Sequence, residues 1–99
     1  MKSFHFYAAF GKYTEETASS LSEFAQILQT IDAGSIGFHF PRQDFQKWIK
    51  DTIGDSELAN RIDKIEPTLS IEETRTKLKE TVQTRIAELE ELSAETNVS

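Results

Sequence analysis

At 99 residues, with 37 % hydrophobic and 28 % charged side chains, the chain has the size and composition of one soluble globular domain, which excludes a disordered tract. The formal net charge of −6 is spread, with ten acidic and seven basic side chains in residues 1–69 and seven and four in residues 70–99, so there is no basic face for nucleic acid or for an anionic membrane. The absence of cysteine excludes disulfides and thiolate chemistry and fits a cytoplasmic protein; Met1-Lys2-Ser3-Phe4-His5 is too short an apolar run for a signal peptide, and no window approaches the roughly 18 apolar residues of a membrane span.

All ten aromatics lie between Phe4 and Trp48, so the first half supplies an aromatic core and the second half the aliphatic helices that cover it. Residues 4–10 alternate Phe4, Phe6, Ala8 and Phe10 with His5, Tyr7 and Ala9, a strand period, and their assignment to strand or helix stays open. Ser20 and Glu23 form a capping box. Leu21, Phe24, Ala25, Leu28 and Ile31 then share one helical face. Asp32-Ala33-Gly34 stops that helix, with Gly34 as its left-handed cap. Ile36, Phe38 and Phe40 alternate as a strand would, while Ile36, His39 and Phe40 also fit a helical turn.

The next helix starts near Pro41, a residue suited to a first turn, and carries Phe45, Trp48, Ile49 and Ile53. Gly54 stops it, and Asp55 caps a helix bearing Leu58, Ala59, Ile62 and Ile65, which Pro67 ends. A second capping box, Ser70 and Glu73, opens the last helix, whose Ile71, Leu78, Val82, Ile86, Leu89 and Leu92 recur at helical spacing. The expected fold is mainly α, a compact bundle of four to five helices, with residues 1–92 as a single helical domain and 93–99 as a flexible polar tail.

The densest polar cluster is His39-Phe40-Pro41-Arg42-Gln43-Asp44-Phe45, close to Trp48. His39 oriented by Asp44 has the makings of a general base, with Arg42 binding an anion. The structural alternative makes Asp44 a first-turn carboxylate suited to the helix dipole, Arg42 its local ion partner and His39 a hydrogen-bonded core residue. His5 and His39 are the two histidines, and no helical pairing of metal ligands surrounds them, so no metal and no cofactor is expected.

The blocks Ser35-Ile36-x-Phe38-His39, Asp44-Phe45-x-x-Trp48-Ile49 and Leu58-Ala59, followed by Ile62, Ile65 and a Leu69-Ser70 entry to the last helix, resemble an uncharacterised family of small archaeal and bacterial helical domains. That family shows a Ser-Ile-x-Tyr/Phe-His block, an Asp-Phe-x-x-Trp block and a Leu-Ala helix. The likeness runs from about Phe4 to Leu89. It implies a compact α domain with residues 35–40 helical, and it imports no reaction. His39-Phe40-Pro41-Arg42 stands here where a second histidine often follows the first, so a two-histidine site is incomplete.

Two functions fit these residues. One is a non-catalytic interaction or regulatory module that meets a protein partner or a second copy of itself. Its last helix spans about 33 Å against a core about 25 Å across, so the end bearing Arg85, Ile86, Leu89 and Leu92 outruns the globule. An antiparallel second copy would then bring Arg85 to the acidic Glu88–Glu91 stretch of the other chain. The other is a small-ligand binder or minor enzyme built on His39, Arg42, Asp44 and Trp48. Burial separates them: a concave opening at His39 and Arg42 favours the second, a sealed and satisfied cluster the first.

Overall fold

Phe4–Ala9 (β1) and Lys12–Ala18 (β2) pair antiparallel across the two-residue turn Phe10-Gly11, where Gly11 takes a positive φ of 73°. The computed structural model describes residues 2–97, with only the helical backbone described for 94–97. Five α-helices follow the hairpin: α1 (Leu21–Thr30), α2 (Ala33–His39), α3 (Asp44–Trp48), α4 (Ser56–Asp63) and α5 (Ile71–Asn97). The architecture is therefore α+β, which corrects the mainly-α bundle of four to five helices expected from periodicity. The physical reason is local: alternation buries Phe4 and Phe6 against the helices and leaves His5 outside, so residues 4–9 behave as a half-buried strand. The partner strand is Lys12–Ala18 and not residues 36–40, of which Ile36 to His39 are helical and Phe40 is the C-cap.

β2 escaped the periodicity reading because the ladder is irregular. The pairing runs Phe4 with Ala18, His5 with Thr17, then Tyr7 with Tyr13. β2 thus advances four residues while β1 advances two, and Glu15 absorbs the excess at a positive φ of 71°. The bulge breaks the in–out alternation on which a strand is recognised.

Side-chain caps set the helix starts. The Ser20 hydroxyl accepts from the Glu23 amide at 3.2 Å, and Glu23 in turn accepts from the Ser19 amide at 2.7 Å. Ser70 and Glu73 make the same exchange reciprocally, at 3.1 and 3.2 Å. α1 ends without the left-handed Gly34 cap expected of it. Asp32 instead caps α2 at once, accepting from the Gly34 amide at 2.7 Å. A β-carbon at position 34 would lie 3.0 Å from Asp32 Oδ1 and 3.6 Å from the Ala8 carbonyl oxygen, so Gly34 serves the close approach of α2 to β1. Pro41 sits in the turn between α2 and α3 and not in a first helical turn; α3 begins at Asp44, after Gln43 at a positive φ of 62°.

α3 runs into a π-helical turn, Ile49–Ile53, closed by the Gly54 amide donating to the Ile49 carbonyl at 2.9 Å. Gly54 turns the chain at a φ of 83°, and Asp55 caps α4 through the Leu58 amide at 3.0 Å.

One hydrophobic cluster joins all these elements. Its centre is aromatic: Phe4, Phe6, Phe24, Phe45 and Trp48 meet edge-on or tilted, apart from the stacked Phe6 and Phe24, with ring centroids such as Phe4–Phe6 at 4.8 Å and Phe24–Trp48 at 5.5 Å. α4 and α5 cover it with Leu58, Ile62, Leu78 and Val82. The backbone of α5 continues to Asn97, through part of the stretch read as a tail; Val98 and Ser99 lie outside the described residues. At 1.5 Å per residue its 27 residues reach about 40 Å, which gives the molecule its 49 × 28 × 22 Å outline.

Candidate functional site

An open groove of about 570 Å³ lies between the hairpin and α2–α3, lined by His39, Arg42, Asp44 and Trp48. The structure therefore brings all four residues singled out in the sequence to one place. The burial of α2 against β1 puts His39 inside, 4 % exposed, while Arg42 stays on the rim with nearly half its side chain exposed.

His39 is committed on both ring nitrogens. The Tyr7 backbone amide donates to Nε2 at 2.8 Å, so that nitrogen carries no proton. Nδ1 therefore carries it and donates to Asp44 Oδ2 at 2.9 Å. Burial holds the His39 pKa below its ordinary 6.5; Asp44 pulls the other way and Arg42 adds to the lowering. The imidazole is thus neutral, with its one basic lone pair spent on the backbone of β1. Asp44 does orient His39 as the sequence suggested, but no lone pair is left for a substrate proton. The residue works as a joint between β1, α2 and α3.

Trp48 faces the groove and still belongs to the core, 7 % exposed, with its indole N–H donating to the Lys2 carbonyl at 2.8 Å. Arg42 is held by Asp44 through Nε at 3.1 Å, and its guanidinium carbon lies 4.9 Å from the Phe10 ring centroid and 4.8 Å from that of Phe38. Phe10, 79 % exposed, and Phe38 were missed as site residues. The signal for Phe10 was its place before Gly11, where a strand residue becomes a turn residue. Lys2 and Lys47 also line the groove and were missed; they are far from the His39–Asp44 run in sequence or isolated within a helix.

The second set of candidates lies elsewhere. Arg85 binds Asp55 through Nε at 2.9 Å and Nη2 at 3.2 Å, and Glu88 through Nη1 at 3.2 Å, all within one chain. Arg61 of α4 holds Glu88 from the other side at 2.7 and 2.9 Å and also binds Glu57. These arginine hydrogen bonds keep the Glu88 carboxyl below its ordinary range, and hold Asp55 low against the opposing effect of burial. Arg85 and Glu88 thus clamp α4 to α5, and the cross-chain pairing that a second copy was to supply is already made inside the molecule. Ile86 and Leu89 are half-buried beside Leu21 of α1, and Leu92 is 54 % exposed.

Among the described residues no three His, Cys, Asp or Glu side chains gather as a metal site; His5 instead meets Thr17 at 3.1 Å. Among the same residues no helix is long and apolar enough to cross a membrane. No curated protein and no solved structure matches the chain. One family model does, over residues 1–87, and so takes in the hairpin, the whole groove and the α4–α5 clamp as far as Arg85. By that match the chain belongs to a family of unknown function, DUF5752.

Proposed function

We propose that the protein is a non-catalytic recognition module that binds a protein partner across the groove between its hairpin and α2–α3. The observation that carries this reading is the pairing of a spent histidine with an open rim. His39 has no lone pair left for proton transfer, while the exposed Phe10 and Arg42 and the half-buried Phe38 sit beside it in mutual contact. Aromatic and arginine side chains held rigid at the edge of a concavity are the residues that dominate protein interfaces. The groove is also open, whereas sites for small ligands enclose most of the ligand surface. A chain free of cysteine supports a reducing compartment, the cytoplasm, as the place where the partner is met.

The test is affinity capture from native extract with three baits: wild type, Phe10→Ser on the groove rim, and Gln83→Ala on the exposed side of α5. A protein retained by wild type and Gln83→Ala but lost with Phe10→Ser is the expected result. Bound proteins that ignore Phe10→Ser would overturn the groove as the recognition face.

A further inference from the structure

The open end of Arg42 points to a particular ligand chemistry. Its Nε is bound to Asp44 and its guanidinium rests against the Phe10 and Phe38 rings, which meet edge-to-face, so its direction is set before anything binds. Among the described residues its Nη1 and Nη2 groups have no acceptor. Their outer N–H groups form a planar fork that matches the two oxygens of a carboxylate. Lys2 and Lys47 line the same groove and form no ion pair among the described residues. Three cationic side chains thus face two carboxylates, Asp44 and Asp51, on a chain whose net charge is −6, and Asp44 is already held by His39 and Arg42. The groove is the place where an anion is drawn to an otherwise acidic protein.

We propose that the groove binds a short protein segment in which an Asp or Glu carboxylate stands beside an aromatic or branched aliphatic side chain. The Arg42 fork takes the carboxylate, and the wall of Phe10 and Phe38 takes the apolar neighbour. Lys2 and Lys47 steer the approach. A long polyanion such as single-stranded nucleic acid fits worse: three cations would engage a few of its phosphates while the surrounding acidic surface repels the rest. This inference rests on the reading of the groove as a protein-recognition face and adds the chemistry of what is recognised.

An array of short labelled peptides pairs Asp or Glu with Leu, Ile, Phe or Trp, in both orders, beside counterparts carrying Asn or Gln. Acidic peptides should bind the wild type, with each amide counterpart about tenfold weaker, the size expected for losing a charge-assisted pair. Arg42→Gln should erase that discrimination, and Arg42→Lys should not restore it, because an ammonium lacks the fork. Phe10→Ala should weaken acid and amide peptides alike. An unchanged melting temperature for Arg42→Gln separates lost recognition from lost folding. Equal binding of acid and amide, no binding by any peptide, or binding displaced by inorganic phosphate or an oligonucleotide as readily as by acidic peptide overturns the inference. If the array fails while the captured partner still depends on Phe10, the carboxylate chemistry is wrong and the recognition face stands; if that dependence also fails, both fall.

Discussion

Arginines play opposite parts at the two sides of this molecule. Between α4 and α5, Arg61 and Arg85 close their forks on Glu88, Glu57 and Asp55, and every carboxylate in that network is answered within the chain. On the groove rim, Arg42 spends only Nε on Asp44 and keeps its fork open. The first arrangement ties two helices together; the second presents donors at a surface. Whether an arginine is structural or available for recognition is decided by which of its nitrogens are used at home, and neither sequence position nor exposure alone reveals that.

The largest expected effect tests whether the groove wall is continuous with the core. Trp48→Ala removes a buried ring and frees Lys2 from its indole N–H, and should cost about 3–5 kcal/mol in chemical denaturation. An unchanged melting temperature would separate the groove from the core. Asp55→Ala removes both the α4 cap and the acceptor for Arg85, and should cost about 1–3 kcal/mol. Because the clamp is internal, that loss should be independent of protein concentration; a dependence would show that a second copy shares it.

Acid should loosen the two sides in sequence. The His39 pKa is lowered in the folded state, so the unfolded chain takes up the proton first as pH falls below 6.5. Stability is then full above 6.5 and declines through the window down to the folded pKa, and His39→Gln should flatten that part of the profile. Asp55 and Glu88 are also held low, so their contributions are present above 3.8 and 4.5 respectively and fade only below those values. Denaturant midpoints measured across this range resolve the two steps. The smallest effect is expected of Arg42→Gln, within about 0.5 kcal/mol of wild type, since its side chain is nearly half exposed and its ion pair is with a residue two positions away. A large loss would make Arg42 structural after all and end the contrast.

Much of this was legible in the sequence wherever a local rule had no competitor. The Ser20 cap, the Ser70–Glu73 box, the Gly54 stop and the Asp55 cap fall where the residues place them, because caps are short-range and need only their own amides; Glu23 alone reaches one residue further, to the Ser19 amide. Trp48 in the core followed from helical spacing. β2 was lost because a bulge at Glu15 destroys the period by which strands are read, and Gly34 was misread because its role is set by Ala8, 26 positions earlier. The cluster His39, Arg42, Asp44 and Trp48 was found as a group, but its chemistry turned on the Tyr7 amide, a backbone partner invisible to side-chain motifs. Phe10 and Phe38 were plain as aromatics; that they would grip Arg42 depended on the hairpin nobody could pair without β2.

α5 passes from interior to surface along a single run of hydrogen bonds. Thr74, Leu78 and Val82 are buried, Ile86 and Leu89 are half-covered, and from Glu90 to Ser93 every side chain is exposed. Amide hydrogens therefore exchange with solvent by two routes on the same helix. Around Leu78 and Val82 the backbone opens only when the whole core comes apart, so deuterium uptake there reports global unfolding. From Glu90 to Ser93, where every side chain is exposed, the backbone is expected to open while the core stays closed, so uptake there should be fast and insensitive to substitutions in the core. The crossover belongs at the Arg85–Glu88 clamp, and releasing it with Asp55→Ala should move the boundary toward Val82.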